Sequence, residues 1–405
     1  MHRLALLGLV VACSSEPAGV RQWPADVVGD KVRDAKLAAL KAESDALSAQ
    51  FDRDHAKYDA TTTTTKVATL VAGWNTVPIT EYPTSFWGIW ADGNEVIAGG
   101  HQNWLVASSD GGASWRRLDT KAFATTAEKE PLISQVWGSG DHRVVIGFEN
   151  DVVGVSHDRG ATWTKVALPV PGGTKESEDQ PRALWGAGTD VYVSTEPGAL
   201  GKQISVFVSH DDGATWKVSL EKPASETNNT FYSISGTRDG REVYVAGYLG
   251  SKAALYRTRD RGATWQPVHV PADVDLAERV AVVGPGELYA HFGIPDQHKN
   301  VRDHTIAHTR DGGQTWDRIQ VKYLGPAADI ADDNWWEPYE LAVAPDHTLY
   351  VSLHGRQTAM LESTRDGGKT WKLELADEQP QAIAFGAGNV YATVHAPALA
   401  ILKTK

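Results

Sequence analysis

The fold is decided by the stretch TRDGGKTW, residues Thr364 to Trp371, because near-copies of it recur along the chain. The other copies are SSDGGASW from Ser108, SHDRGATW from Ser156, SHDDGATW from Ser209, TRDRGATW from Thr258 and TRDGGQTW from Thr309. Their shared form is (S/T)-x-D-x-G-x-(T/S)-W, and successive aspartates are 48, 53, 49, 51 and 55 residues apart. A period of about fifty residues indicates an array of similar supersecondary units.

Each copy has a structural interpretation that needs no ligand. An aspartate followed two residues later by glycine suits a tight hairpin turn, because the carboxylate accepts nearby backbone N–H groups and glycine tolerates positive φ. The tryptophan then begins the next strand and buries its ring. Six separate ion or ligand sites are the alternative. The residues expected to hold the hairpins are Asp110, Asp158, Asp211, Asp260, Asp311 and Asp366, with Trp115, Trp163, Trp216, Trp265, Trp316 and Trp371.

Between the copies, short strand patterns alternate with turn signals, which is typical of an all-β fold. After Trp371 the pattern continues through Gln381–Gly386, Asn389–Val394 and Ala398–Thr404, where no fourth strand follows. The segment Gly73–Val77 matches a fourth strand in sequence. We therefore expect a seven-bladed β-propeller in which this N-terminal strand completes the C-terminal blade, so that no long sheet edge is exposed.

The start of the chain has the pattern of an exported lipoprotein. Residues 1–12 carry a short basic start and an apolar run, which predicts a signal peptide, and Cys13 follows at once as the only cysteine. The sequence Val10-Val11-Ala12-Cys13 resembles the bacterial lipobox, which implies lipidation at Cys13; an incidental thiol is the alternative. Ser14 after it favours the outer membrane by the same resemblance. The apolar run is too short to span a bilayer, which takes about twenty residues.

The remaining segments before the propeller are short. Residues 13–23 are predicted to be a tether, 24–60 a helical segment with one narrow apolar stripe, and 61–68 a linker, with the propeller over 69–405. The helix either packs on a partner or on the propeller, or is a solvated spacer. A net charge of −12 argues against a protein that binds nucleic-acid phosphates.

The six motifs resemble the Asp-box, or BNR, repeat of the sialidase-like superfamily. Sialidases are similar in the box but, by resemblance, have six blades and an Arg-Ile-Pro signature, which this sequence lacks. Xyloglucanase-type glycosidases pair two seven-bladed propellers, and this chain has room for one. In size and layout the chain looks most like the Ycf48-like photosystem II assembly factors. That resemblance implies a single exported, lipid-anchored propeller that acts as a protein-binding scaffold.

A binding site is expected on the face opposite the boxes, where the longer loops lie. Aligned second strands place His101, Glu149, Glu196, Tyr248, His354 and His395 at equivalent positions there, and one loop adds Trp335, Trp336 and Glu337. The tryptophan pair either anchors a partner or covers the end of a blade. Histidines are common metal ligands, but packed sheets lie about 10 Å apart, which is too far for histidines on adjacent blades to bind one ion. No metal and no cofactor is therefore predicted.

Composition and resemblance together favour a non-catalytic scaffold in the cell envelope that binds a protein partner or a glycan. The alternatives are a carbohydrate-active enzyme and a purely structural envelope protein. A glycosidase would need two facing carboxylates, for which Glu149, Glu196, Glu337 and Glu340 are available, although none lies in a recognisable motif.

Overall fold

The computed structural model describes the chain from Trp74 onward, with gaps. The described residues are 74–78, 85–101, 103–123, 132–147, 149–171, 179–197, 203–223, 229–250, 252–295, 302–321, 324, 337–354, 359–376, 380–394 and 398–403. All belong to the unit Ala68–Lys405. The predicted signal peptide, Cys13, the tether, the helical segment 24–60 and the linker lie outside the described residues.

Six four-stranded antiparallel sheets are built from consecutive strands, and we number them blades 1 to 6. Blade 1 contains β2 (Phe86–Asp92), β3 (Glu95–Gly100), β4 (Leu105–Ser108) and β5 (Arg116–Arg117), and blade 2 contains β6 (Gln135–Ser139), β7 (His142–Ile146), β8 (Val152–Ser156) and β9 (Thr164–Ala167). Blade 3 contains β10 (Gln180–Ala187), β11 (Asp190–Glu196), β12 (Gln203–Ser209) and β13 (Lys217–Pro223), and blade 4 contains β14 (Asn229–Gly236), β15 (Val243–Leu249), β16 (Lys252–Thr258) and β17 (Gln266–Pro267). Blade 5 contains β18 (Leu276–Gly284), β19 (Glu287–Pro295), β20 (Arg302–Thr309) and β21 (Asp317–Ile319), and blade 6 contains β22 (Glu337–Val343), β23 (Leu349–His354), β24 (Ala359–Thr364) and β25 (Lys372–Ala376).

A further four-stranded sheet joins the two ends of the described chain. It contains β26 (Pro380–Gly386), β27 (Asn389–Val394) and β28 (Ala398–Lys403), with β1 (Trp74–Pro78) as its fourth strand. The antiparallel register pairs Trp74 with Leu402 and Pro78 with Ala398. The predicted pairing of the Trp74 strand with the last strand is therefore present, and we call this sheet the composite sheet.

The composite sheet packs against the blades on both of its sides. Its Tyr391 lies in one buried apolar cluster with Phe86 of blade 1, and its Trp74 lies in another with Tyr350 of blade 6. The first strands of successive sheets contact one another around the whole circle, so they surround the central channel. Apolar burial between neighbouring sheets is thus continuous around the ring.

The predicted fold class needs correction. Among the described residues, blades of consecutive strands number six, not seven; the sheet between blades 6 and 1 is the composite one, because its fourth strand, β1, precedes all the blades in sequence. The described part of the chain contains no α-helix and only a short 3-10 turn at Lys121–Phe123. The structure is therefore all-β wherever it is described, and the helical segment expected ahead of the propeller is not among the described residues.

Tryptophan–glycine pairs fix the spacing between neighbouring first strands. A Cβ added to Gly186 of blade 3 would lie 2.4 Å from Cε2 of Trp137 in blade 2. One added to Gly236 of blade 4 would lie 2.6 Å from Trp185 in blade 3. Only glycine leaves room for these indole rings, since real Cβ contacts are never so close.

The six boxes share one pattern of hydrogen bonds around the aspartate and the first hydroxyl, which blade 2 illustrates. The Ser156 hydroxyl donates to Asp158 Oδ1 at 2.8 Å and accepts the Gly160 N–H at 2.8 Å. Asp158 also accepts the Thr162 N–H at 2.8 Å and its hydroxyl at 2.5 Å. The Trp163 indole N–H donates to the Gly160 carbonyl at 3.1 Å. The aspartate and the hydroxyls of the turn are thus paired within the box, whereas the Trp265 and Trp316 indoles donate to Ser219 and to the His269 carbonyl of the preceding blade. We call the end of the propeller that carries the boxes the box face and the opposite end the loop face.

These hydrogen bonds lower the pKa of the box aspartates. Hydrogen bonds from the Thr162 side chain and backbone lower the pKa of Asp158 from 3.8 to about 2, and equivalent donors lower the pKa of Asp110 and Asp366 to about 2. A carboxyl group whose pKa is lower in the folded state contributes stability above its unfolded pKa and loses it as pH falls through the folded value. The box contribution is therefore present at pH 5 and is lost between about pH 4 and pH 2.

We predict that Asp158→Asn flattens the acid dependence of stability. The wild type should lose more urea-unfolding free energy between pH 5 and pH 2.5 than the variant does, because the variant has no carboxyl to protonate at this turn. Asp92→Asn, at an exposed aspartate outside the boxes, is the control and should keep the wild-type slope. Parallel pH profiles of Asp158→Asn and the wild type would contradict the prediction.

Candidate functional site

The mouth of the channel on the loop face is shaped by a repeated β-bulge. In five blades and the composite sheet, the register of the first strand shifts by one residue near its start. The inserted residues are Trp87, Arg182, Tyr232, Glu278, Tyr339 and Gln381, which we call the bulge ring. A bulge bends its strand and redirects one side chain. The repeated insertion therefore presents a set of large and polar side chains where a regular strand would continue its alternation.

Two aromatic pairs join the bulge ring to predicted site residues. The hydroxyls of Tyr232 and Tyr248 share a hydrogen bond of 3.0 Å in blade 4. In blade 6 the rings of Tyr339 and His354 stack, with centroids 4.2 Å apart. Burial, followed by the Tyr248 hydrogen bond, raises the pKa of Tyr232, which keeps this phenol protonated at neutral pH. Both pairs are half-buried and present ring surface with polar edges at the mouth.

In blades 1 and 3 the bulge residue also contacts a predicted site residue, through an edge-to-face ring contact in blade 1 and an ion pair in blade 3. The rings of Trp87 and His101 meet edge to face with centroids 5.8 Å apart. Arg182 forms an ion pair with Glu196. Four of the predicted residues, His101, Glu196, Tyr248 and His354, thus each contact the bulge residue of their own sheet.

A charged group spans blades 5 and 6 within this mouth. The Arg279 Nε lies 3.5 Å from Glu340 Oε2, and its guanidinium lies 5.6 Å from the Tyr339 ring centroid. Beside it, Glu278 lies 3.2 Å from Nδ1 of the fully buried His291. Burial raises the pKa of Glu340, although Arg279 opposes the shift. Burial also acts to lower the pKa of Arg279, but Glu340, Tyr339 and Glu278 together raise it, so the guanidinium stays charged at neutral pH.

The other predicted site residues are not brought to this group. Glu149 forms an ion pair with Lys165 in the fourth strand of blade 2. His395, Trp335 and Trp336 lie outside the described residues, and Glu337 begins β22 without a described side chain. The three described glutamates considered for catalysis, Glu149, Glu196 and Glu340, each have a basic partner on the same or the adjacent blade.

Sequence reasoning missed the repeated bulge that forms the bulge ring. Its members precede the aligned second-strand positions by 14 to 16 residues, for example Trp87 before His101 and Tyr232 before Tyr248. The available signal was a large or polar residue that follows a buried one at the start of each first strand, as in Phe231-Tyr232 and Pro338-Tyr339. A rule of strict alternation between buried and exposed residues interprets the extra residue as a one-residue change of register. It cannot identify a bulge, because a bulge is a property of two paired strands.

Neither a metal centre nor a membrane helix is found in the described residues. No three His, Cys, Asp or Glu side chains there are grouped so that they could hold a metal ion. Within the same ranges no helix has the length and apolar character needed to cross a bilayer.

Comparisons with known proteins agree with the fold. The Sortilin-Vps10 family model (sortilin, neurotensin receptor 3) matches residues 204–327, which cover the later part of blade 3 to blade 5. A xyloglucanase, Xgh74A of Acetivibrio thermocellus, is 23% identical over 165 residues, which are 36% of this chain and 18% of the length of that enzyme. Both matches identify propeller sequence of the BNR kind over part of the chain.

Solved structures match over more of the chain. YCF48 bound to D1 peptide aligns with a TM-score of 0.56 and 14% identity over 84% of this chain and 99% of that one. YCF48 from Cyanidioschyzon merolae gives 0.58 and 15% over 82% and 99%. A GH74 xyloglucanase from Xanthomonas campestris gives 0.58 and 16% over 81% of this chain and 53% of that one. At these identities the likeness shows a shared β-propeller fold.

We predict that Arg279→Met destabilises the protein more at pH 7 than at pH 4. The folded-state pKa of Glu340 is already above its ordinary value of 4.5, and loss of the guanidinium raises it further. A carboxyl group whose pKa is raised by folding contributes its full free energy of stabilisation below its unfolded pKa. That contribution is lost as pH rises through its folded pKa. The loss should be about 2 kcal/mol at pH 7 and smaller at pH 4, measured by urea unfolding.

Two further variants test the cause. Glu340→Gln added to Arg279→Met should restore part of the stability at pH 7, because the unpaired charge is gone. Arg182→Met is the matched control: its side chain is 42% exposed, so the loss should be at most about 1 kcal/mol and nearly independent of pH. An equal loss for Arg279→Met at both pH values would contradict the role of the pair.

Proposed function

We propose that this protein is a non-catalytic binding scaffold that holds a segment of a protein partner at the mouth of the loop face. The bulge ring and the residues paired with it form the contact surface. The scaffold works in the cell envelope, where lipid attached to Cys13 tethers it to the membrane.

The chemistry of the mouth supports binding more than hydrolysis. Tyr232 with Tyr248 and Tyr339 with His354 offer half-buried aromatic surface whose polar edges can exchange hydrogen bonds with a peptide. Aromatic groups of this kind anchor partners at protein interfaces because they bury a large area with few freely rotating bonds. The ion pair of Arg279 with Glu340 adds charges that fix orientation.

A second observation supports a peptide as the ligand. The propeller of YCF48, which shares the fold over 84% of this chain, is seen bound to D1 peptide. In this chain the ring of first strands brings six different bulge residues to one mouth. Such variety suits an extended ligand that contacts several sheets at once.

The runner-up function is a glycoside hydrolase. Two features favour it: the partial match to a xyloglucanase and the raised pKa of Glu340, which suits a proton donor. Against it, Glu149, Glu196 and Glu340 are each paired with a basic side chain. A retaining or inverting glycosidase needs a second carboxylate that faces the acid across the bond to be cleaved.

We predict that a photo-crosslinker at Tyr248 captures an envelope protein, because this residue lies in the proposed contact surface. The same probe at Gln314, exposed in the box of blade 5, is the control and should not capture that partner. Tyr232→Ala with Tyr339→Ala should reduce capture at least about tenfold, since two anchors are removed. Trp335→Ala with Trp336→Ala tests the adjoining loop. The measurement is affinity purification followed by mass spectrometry.

Two results would overturn this function. One is equal capture from Tyr248 and Gln314, or no specific partner at all, which would favour a purely structural envelope protein. The other is turnover of β-glucans or sialosides by the purified protein that is lost in Glu340→Gln, which would favour the hydrolase.

The anchor is tested separately. Radiolabelled palmitate should enter the wild type and not Cys13→Ala, because only the thiol at this position can receive the lipid. Equal labelling of both proteins would remove the tether from the proposal while leaving the loop-face site intact.

A further inference from the structure

On the box face, the second residue of a box lies against the residue at or directly before the start of the second strand of its own blade. Three blades place a base and an acid there: His210 faces Asp190, Arg259 faces Glu242, and Arg310 faces Glu287. The closest nitrogen and oxygen atoms of these pairs are 2.8, 3.2 and 3.7 Å apart. The repeat therefore pairs opposite chemistry at this position.

Blade 2 has two bases at the same position. His157 is the second residue of its box, and His142 begins β7. Their Nδ1 atoms are 2.7 Å apart, and the two rings meet at 77° with centroids 5.0 Å apart. A hydrogen bond between two imidazole nitrogens needs a proton on only one of them, so the other presents a lone pair. Two nitrogen ligands thus converge where other blades form an acid–base pair.

The carboxylate of Asp212, in the box of blade 3, lies on the other side of His142. Its Oδ2 is 3.6 Å from Nε2 of that imidazole, and the Asp212 side chain is 14% exposed. A negative charge there favours a proton on Nε2, which leaves the lone pair of the neutral ring on Nδ1, toward His157. Histidines that bind metals commonly have a carboxylate in this place, because it fixes the tautomer and the orientation of the ring.

The spacing of the two histidines suits a single metal ion. Two nitrogens on one tetrahedral zinc ion are about 3.3 Å apart, because each zinc–nitrogen bond is about 2.0 Å long. The Nδ1 atoms of His142 and His157 would therefore need to separate by about 0.6 Å. Both side chains are partly open to solvent, so the rings have room to turn. Unlike histidines on adjacent blades, these two belong to paired strands of one sheet, and such strands are about 5 Å apart.

The identity of the ligands limits the kind of ion. Imidazole nitrogens favour Cu²⁺, Ni²⁺ and Zn²⁺, whereas Mg²⁺ and Ca²⁺ prefer oxygen. Within the described ranges no third His, Cys, Asp or Glu joins the pair, so water would complete the coordination. The guanidinium of Arg159, two residues after His157, donates to Asp141 at 2.6 Å, and this ion pair offsets its positive charge.

We propose that Nδ1 of His142 and Nδ1 of His157 bind one divalent transition-metal ion, with Asp212 as a positioning residue. The site lies on the box face and does not depend on the binding function of the loop face. Because only two ligands come from the protein, the ion keeps open coordination positions and exchanges with solution.

Titration of the untagged full chain with Cu²⁺ tests the site, because Cu²⁺ binds nitrogen ligands most tightly among the divalent first-row ions. Calorimetry measures the affinity, and electron paramagnetic resonance counts the coordinated nitrogens. We expect one site per chain with two nitrogens. Its affinity should fall at least about tenfold in His142→Gln and in His157→Gln, and the spectrum of each should show one nitrogen.

Two further variants locate the effect. His210→Gln is the matched control, because His210 has the place of His157 in the box of blade 3 but faces Asp190; it should keep the wild-type affinity. Asp212→Asn should weaken binding about tenfold, since the orienting charge is lost while asparagine tolerates the positive φ of 58° at this position. Equal urea-unfolding midpoints confirm that the variants are folded.

Several results would overturn the proposal. They are no binding of Cu²⁺ by the wild type, wild-type affinity in His142→Gln, His157→Gln or Asp212→Asn, and an equal loss of affinity in His210→Gln.

Discussion

The paired aspartate of the box is the interaction on which the structure depends. In every blade one carboxylate holds a backbone N–H and a hydroxyl across a sharp turn, while the hydroxyl two residues earlier holds the glycine N–H. These contacts fix the turn between the third and fourth strands. They also set the glycine against the preceding blade. A local set of hydrogen bonds thereby determines both the hairpin and the packing of neighbouring sheets, as repeat architectures require.

The two faces of the propeller consequently differ in what they can do. On the box face the aspartate and hydroxyl side chains of each turn are paired within the turn, and side chains such as Arg261 form ion pairs with the neighbouring blade. On the loop face the bulge frees one residue per sheet from the regular alternation, and those residues vary in charge and size. Repetition therefore provides the scaffold, and departures from repetition provide candidate sites.

The mouth also shows why a charged pair in a propeller channel differs from a surface ion pair. Arg279 and Glu340 are 22% and 27% exposed, yet protein surrounds them closely enough for burial to dominate the pKa of the carboxyl. The pair remains partly exposed, while the adjoining blades remove most of its solvation. A ligand at the mouth would remove the remaining water and strengthen the pair, which links binding to local electrostatics.

The sequence by itself determined the all-β class, the positions of the hairpins and the pairing of the Trp74 strand with the last strand. These depend on local chemistry: an Asp-x-Gly turn, a following tryptophan and a period of about fifty residues are visible in one dimension. Four residues of the predicted face, His101, Glu196, Tyr248 and His354, lie at equivalent strand ends for the same reason, because equivalent strands end at equivalent places. Only the tertiary structure decided which side chains they meet. The bulge ring arises from register shifts between paired strands, and the Arg279–Glu340 pair arises from a contact between two blades.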